Sequence, residues 1–406
     1  MKILYVVEDR FPPFRVDVVE LFAKQMSERG HQINWVMQRG PDALNLSSPT
    51  NWLGNTVYLT TQHIEYKKGL LDRILNNLRG MWGDFMVLPL AFKNQYDVIQ
   101  VRDKFFVSLI AWLAARLTGA RFIYWMSYPF AESKLHQARN RLVPHHRLVW
   151  LKGQTIWNVL YKVILPLADH IFVQSESMKE HVARQGISPA KMTSVPMGIR
   201  ADQVGRAEDA VAPNTHAPVL LHLGIIMQLR QSEMLVRVLQ QVRLRYPDAR
   251  LLYVGDGQLP SDRQAIEKEA SRLGLSNAVT VTGFLPMEQA WELVKRADIC
   301  LSAIAPISVF LVSSPTKLIE YMAMAKCIVA NELPEQRQVM EASGVGRCIP
   351  WGEQAFADEI CCLLDDPERA RMMAAKGPEW VRVHRTYDVI ADLVESKYQE
   401  LLGQTI

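Results

Sequence analysis

Residues 2–38, KILYVVEDRFPPFRVDVVELFAKQMSERGHQINWVMQ, decide the fold class. KILYVVED (2–9) is a continuous apolar run rich in β-branched side chains, the pattern of a strand covered on both faces. FRVDVVELFAKQMSERG (14–30) sets apolar residues at helical spacing and stops at Gly30. HQINWVMQ (31–38) is a second strand. A strand, a crossing helix and another strand make a parallel βαβ unit.

Outward from this unit the alternation persists. YDVIQVR (96–102), FFVSLIAWLAARLTG (105–119), ARFIYWMS (120–127), DHIFVQS (169–175) and ESMKEHVARQG (176–186) continue it. ADQVGRAEDAVAPNTHAP (201–218) lacks periodicity, which predicts a linker over 201–217. PVLLHLG (218–224) restarts the pattern, with a helix to about residue 245, then ARLLYVGDG (249–257), a helix 261–273 and AVTVTGF (278–284). A helix 287–296, ICLSAI (299–304), PTKLIEYMAMA (315–325), KCIVAN (326–331), GRCIP (346–350) and further helices follow. The reading is α/β: two tandem Rossmann-like doubly wound domains, 1–200 and 218–385, facing across a cleft, with a helix 386–406 packing back toward the first. Ligand groups are then expected in the strand-to-helix loops.

Composition narrows the class. Of 406 residues, 49% are hydrophobic and 22% charged, which excludes disordered, collagenous and disulfide-scaffold chains. No uninterrupted apolar run is long enough to span a bilayer, and charge at Glu8 argues against a secretory signal. The five cysteines show no ligand spacing and read as reduced thiols in the cytoplasm. The net charge of +4 hides an asymmetry: residues 1–200 carry 25 Lys and Arg against 15 Asp and Glu, residues 201–406 carry 21 against 27. The first half therefore faces something anionic: nucleic acid, a bilayer or a phosphorylated substrate.

Residues 134–163 hold six lysines and arginines and two tryptophans with no carboxylate. Together with the shorter 66–83, this predicts helices lying on an anionic membrane surface, the alternative being helices packed on the sheet with basic sides to water. No nucleic-acid motif accompanies the charge, so no nucleic acid is expected as partner. GDG (255–257) lacks the third glycine of a dinucleotide fingerprint, and no P-loop occurs.

SSPTKLIE (313–320) carries the strongest signal. Pro315 suits the first helical position with Ser314 as N-cap. Amides of Thr316 and Lys317, beside the lysine itself, make an anion site, and Glu320 one turn on suits a ribose diol. Against this stands a plain cap with a solvated lysine and a locally paired glutamate. Gly224 ends a buried strand, and Arg230 follows in the loop on the same sheet edge, a second cation for a diphosphate. In the first half, Arg102 and Asp103 end a strand as ligand contacts or as a mutual surface pair. Glu132 faces the cleft or caps a helix.

With these residues in view, the sequence resembles the retaining glycosyltransferases of family 4, which have the GT-B fold. FPPFRVDVVELFAKQMSERGHQ, ADHIFVQSESMKE, LLHLGIIMQLRQ, LLYVGDG, VTGFLP and SSPTKLIEYMAMAKCIVAN carry the resemblance over nearly the whole chain. It implies a nucleoside-diphosphate-sugar donor held by Gly224, Gln228, Arg230, Phe284, Ser314, Thr316, Lys317, Leu318 and Glu320. Within that set the diphosphate falls to Arg230, Lys317 and nearby amides, the ribose to Glu320, and the base to the backbone at Phe284. It further implies a front-face transfer in which the leaving phosphate takes the acceptor proton, Arg230 and Lys317 being catalytic through charge. No Asp-x-Asp occurs, so no metal or other cofactor is expected.

The acceptor side falls to Arg15, Arg102, Ser127, Tyr128 and Glu132. Four departures stand out. Val312 replaces the family's first carboxylate, which touches the donor sugar, and Gln228 replaces a phosphate-side arginine. Pro12-Pro13-Phe14-Arg15 replaces a glycine pair, and Ser127 stands where a histidine is usual. The expected protein transfers a sugar to a lipid-linked or surface-polysaccharide acceptor, peripherally at the inner face of the cell membrane. A sugar-nucleotide-binding partner subunit or regulator is the alternative, and a nucleic-acid-binding protein the next.

Overall fold

Two separate sheets carry the chain, and each is built from the buried runs of one half. The structure, a computed structural model, describes residues 1–62 and 82–403. It divides into unit 1, Met1–Pro196 with Tyr387–Ile406, and unit 2, Met197–Thr386.

Unit 1 contains β1 (Lys2–Phe11), β2 (Gln32–Arg39), β3 (Thr50–Trp52), β4 (Asn55–Gln62), β5 (Val98–Arg102), β6 (Arg121–Met126), β7 (His170–Val173) and β8 (Met192–Ser194). They form one sheet in the order β3-β4-β2-β1-β5-β6-β7-β8, parallel except for β3 against β4. Ile3 lies opposite Ile33 on one side and Val98 on the other, so β1 is central and its apolar run is buried from Ile3 to Val7. The helix expected at 14–30 is shorter: Asp17–Met26 forms wide, π-type turns and buries Val18, Leu21, Phe22 and Met26. Helix Tyr387–Leu402 belongs to this unit. It buries Ile390, Ala391, Val394 and Tyr398, and Arg29 grips its outer side through Asp392 at 2.6 Å and Glu395 at 2.8 Å.

Unit 2 contains β9 (Val219–Leu223), β10 (Arg250–Val254), β11 (Val279–Val281), β12 (Ile299–Ser302), β13 (Cys327–Asn331) and β14 (Gly346–Ile349). All run parallel in the order β11-β10-β9-β12-β13-β14. One apolar layer gathers Leu235, Leu239, Phe356 and Ile360, another Val294, Leu318, Tyr321 and Met322. Both sheet faces are therefore covered, as the unbroken hydrophobic strands demanded.

Two boundaries need correction. Residues 201–217 are no linker: Gly205 N donates to Ala323 O at 2.9 Å, Asn214 N to Asp298 at 2.8 Å, and Ala210 is buried beside Ala325 and Ala374. Lack of periodicity here reflects short turns packed on unit 2. The division accordingly falls after Pro196 and again after Thr386, where Ile199 and Thr386 pair as an isolated bridge within unit 2.

In a doubly wound sheet, ligands bind beyond the carboxyl ends of the strands where the order reverses. That point lies between β9 and β12 in unit 2, and between β1 and β5 in unit 1. The basic span 134–163 falls on helices Phe130–Arg139 and His146–Val159 and the turns that follow. Of the second helix only Gly153 is buried, where a Cβ would press on the Leu135 side chain at 3.1 Å. Most of 66–83 lies outside the described residues.

Candidate functional site

Bare backbone lines the carboxyl edge of the second sheet. Gly224, just past β9, adopts φ +110°, and a Cβ on Gly255 would lie 2.2 Å from the Gly224 carbonyl oxygen. Only glycine lets these two loops touch. Gly255 in turn bridges to Gly283, so three strand ends stand side by side.

Two cations enter this edge from different elements. Lys317 sits in the first turn of helix Thr316–Ala323 and is buried, with Nζ 3.1 Å from Nε2 of His222 on β9. Burial, followed by the charge of Arg230, holds its ammonium well below the ordinary lysine range. Burial and the same two cations hold the His222 imidazole well below its own ordinary range, so it is neutral. Arg230 closes a short turn, Gln228–Arg230. Its Nη1 donates to Ile225 O at 3.5 Å, its guanidinium lies 5.5 Å from the Phe310 ring centre, and its own carbonyl accepts from Ala305 N at 3.4 Å. The loops after β9 and β12 are thereby tied together at the switch point.

Glu320 is half-buried one turn along. Burial pushes its carboxyl up to about 6, against the pull of the Trp291 indole hydrogen bond and of Lys317. Tyr321 Oη accepts from Leu223 N at 2.8 Å, fixing this helix to the end of β9. Gly224, Arg230, Lys317 and Glu320 all lie in unit 2.

Several residues stand elsewhere. Ser314 is not the N-cap: Pro315 occupies that position with no side-chain cap. The Ser314 hydroxyl instead donates to Glu335 Oε1 at 3.0 Å and accepts from Met197 N at 3.1 Å, within a network that Arg385 joins through Glu335. Leu318 N is turned to Pro315 O at 3.3 Å, leaving Thr316 and Lys317 as first-turn amides without an acceptor inside the helix. Gln228 is exposed; its N–H donates to Asp262 and its side chain to Ser261 O at 3.4 Å. Phe284 is two-thirds exposed after Gly283, and Val312 is buried.

In unit 1 the main correction is Arg102. It is neither a surface partner of Asp103 nor open to a ligand but is buried, paired with Asp17 and set under the Trp125 ring. Asp103 accepts from the Ser127 amide at 3.0 Å and from the Ser127 hydroxyl, so Ser127 is engaged as well. Arg15 Nε donates to Asp9 at 3.0 Å, and Tyr128 Oη to Ser133 Oγ at 3.1 Å. Glu132 lies in the first turn of its helix, one oxygen receiving Tyr161 Oη at 2.7 Å and His181 Nε2 at 3.2 Å. Burial alone would raise its carboxyl, yet the His181 and Tyr161 hydrogen bonds hold it below the ordinary range.

Sequence reasoning missed His222, Trp291 and Tyr321. A polar residue inside the apolar run PVLLHLG was the available signal, because a buried imidazole needs a partner.

Comparison with known proteins matches the two halves of the chain separately. Residues 17–203 match the model of "Glycosyltransferase Family 4" and residues 217–366 that of "Glycosyl transferases group 1". An alpha-D-kanosaminyltransferase of Streptomyces kanamyceticus is 23% identical over 185 residues, 45% of this chain and 46% of that one. A GDP-mannose-dependent alpha-(1-6)-phosphatidylinositol monomannoside mannosyltransferase of Mycolicibacterium smegmatis is 25% identical over 205 residues, 47% of this chain and 52% of that one. The chain thus spans about half the length of the curated relatives it matches. Among solved structures, Anabaena HepE in complex with UDP superposes with a TM-score of 0.72 at 16% identity, covering 98% of this chain and 100% of that one. With a model matched on each half and the same two-sheet architecture in solved structures, the chain belongs to the family 4, group 1 glycosyltransferases of GT-B fold.

Proposed function

We propose that the chain is a retaining, metal-independent glycosyltransferase that moves a hexose from a nucleoside-diphosphate sugar to a lipid-linked or surface-polysaccharide acceptor. One observation carries the reading: Lys317 and Arg230 converge, beside the bare backbone of Gly224, at the switch point of the second sheet. Two cations and two first-turn amides match a leaving diphosphate, whose developing charge they stabilise without a metal. Glu320 then takes the ribose hydroxyls and the Phe284 loop the base. UDP and GDP are the two nucleotides suggested by the relatives.

Arg15, Tyr128 and Glu132 remain the acceptor-side residues of the proposal; Arg102, paired with Asp17, and Ser127, bound to Asp103, leave it. Purified protein should consume a UDP- or GDP-sugar, and Lys317→Ala and Arg230→Ala should each abolish turnover. Nucleotide binding without donor consumption in the wild type would favour the partner-subunit reading instead.

The membrane arm of the proposal rests on helix His146–Val159. Leu148 is 62% and Leu151 57% exposed, with Trp150 beside them and exposed Arg139, Arg141, Arg147 and Lys152 around them. Exposed apolar side chains together with exposed cations suit an anionic headgroup plane, each cation adding ~1 kcal/mol of attraction. Such a protein would work peripherally on the cytoplasmic face. Among the described residues no helix is long and apolar enough to cross a membrane. Co-sedimentation with phosphatidylglycerol vesicles should occur at low salt, fall as salt rises, and vanish on charge reversal of Arg139, Arg141 and Arg147. Nucleotide binding should survive that change.

A further inference from the structure

We propose that His222 is a positioning residue for Lys317: a neutral imidazole whose Nε2 lone pair receives the lysine ammonium and fixes it at the carboxyl end of β9. The inference rests on the diphosphate reading of Lys317. His222 is completely buried in the middle of a strand whose neighbours are leucines, a costly place for a polar ring unless it is hydrogen-bonded. Its one resolved side-chain partner is Lys317 Nζ, at 3.1 Å. With the lysine protonated, as the diphosphate reading requires, Nε2 must be the acceptor and the ring proton must sit on Nδ1.

The surroundings keep the ring in place and uncharged. Tyr253 on β10 meets it edge-on, ring centres 5.8 Å apart. Lys317 and Arg230 both disfavour its protonation, after burial itself. A protonated ring would set two cations 3.1 Å apart and repel the lysine. A neutral one takes a single hydrogen of the ammonium and leaves the other two for phosphate oxygens. A flexible four-carbon side chain is thus oriented before the ligand arrives, which lowers the ordering cost of binding.

Two amide variants separate positioning from mere filling of the strand. The Gln oxygen of His222→Gln reaches the place of Nε2, whereas the amide of His222→Asn reaches only that of Nδ1. Calorimetry with UDP and GDP on the full chain should find His222→Gln within about threefold of the wild type and His222→Asn weaker by about tenfold, the worth of one hydrogen bond to a charged group. In a Lys317→Met background, His222→Asn should have no further effect. Should His222→Asn fail to fold, ¹⁵N spectra of the histidine-labelled wild type decide: the Nδ1–H tautomer across pH 6–8 supports the proposal, and Nε2–H or imidazolium overturns it. Equal affinity of the Asn and Gln variants, or additive losses with Lys317→Met, also overturns it while the donor site stands. If Lys317→Met itself leaves affinity unchanged, the diphosphate reading fails first.

Discussion

The carboxyl edges of the two sheets use buried charge in opposite ways. In unit 1, Arg102 meets Asp17 and lies 3.6 Å from Asp103, which in turn is satisfied by Ser127. These buried charges pair with one another, and the cluster holds strand to helix. In unit 2, the Lys317 ammonium meets an imidazole, and Arg230 lies over a phenyl ring and a carbonyl. Burial, followed by the charge of Arg230, holds the Lys317 ammonium well below the ordinary lysine range. On the proposed reading, the first arrangement holds the fold together and the second receives a diphosphate.

That contrast predicts unequal consequences of mutation. Arg102→Leu leaves Asp17 buried without its partner and should destabilise unit 1 by about 3–5 kcal/mol, seen as an earlier melting transition. Nucleotide binding in unit 2 should be intact below that transition; a lost site with an unshifted melt would break the distinction. Next comes Glu320. Burial pushes its carboxyl above the ordinary glutamate range, up to about 6. A raised folded pKa means that stability present at low pH is lost as pH rises through 6. Glu320→Gln should therefore stabilise the free chain by up to about 2 kcal/mol at pH 8 in a melting experiment. The ionised carboxylate is the form that accepts ribose hydroxyls. Wild-type nucleotide affinity should thus fall as pH drops below 6, and the Gln variant should lack that acid limb.

Smallest of all, Arg371→Ala removes an exposed i,i+3 pair with Glu368 and should leave the melting transition where it is. A shift would mean that surface pairing, too, is structural here.

Much of this was legible in the sequence because period and punctuation are local signals. Unbroken apolar runs announced both parallel sheets, and Pro315-Thr316-Lys317 announced a helix start after β12. What escaped depends on contacts far along the chain. Nothing near residue 205 announces that its amide meets Ala323, so 201–217 looked like a linker. Arg102 looked available because its partner Asp17 lies 85 residues away. Ser314 looked like a cap because the sequence before a helix cannot tell that Glu335 will claim the hydroxyl. His222 was printed in PVLLHLG, but its meaning needed Lys317, 95 residues on.

The central claim is that Lys317 and Arg230 form a diphosphate site, and titration calorimetry of UDP and GDP tests it most directly. At least one nucleotide should bind the wild type, with Lys317→Ala and Arg230→Ala each weaker by about 1.5–3 kcal/mol, the range for hydrogen bonds to charged groups. Affinity unchanged in both variants, or no binding of either nucleotide to the folded wild type, would contradict it.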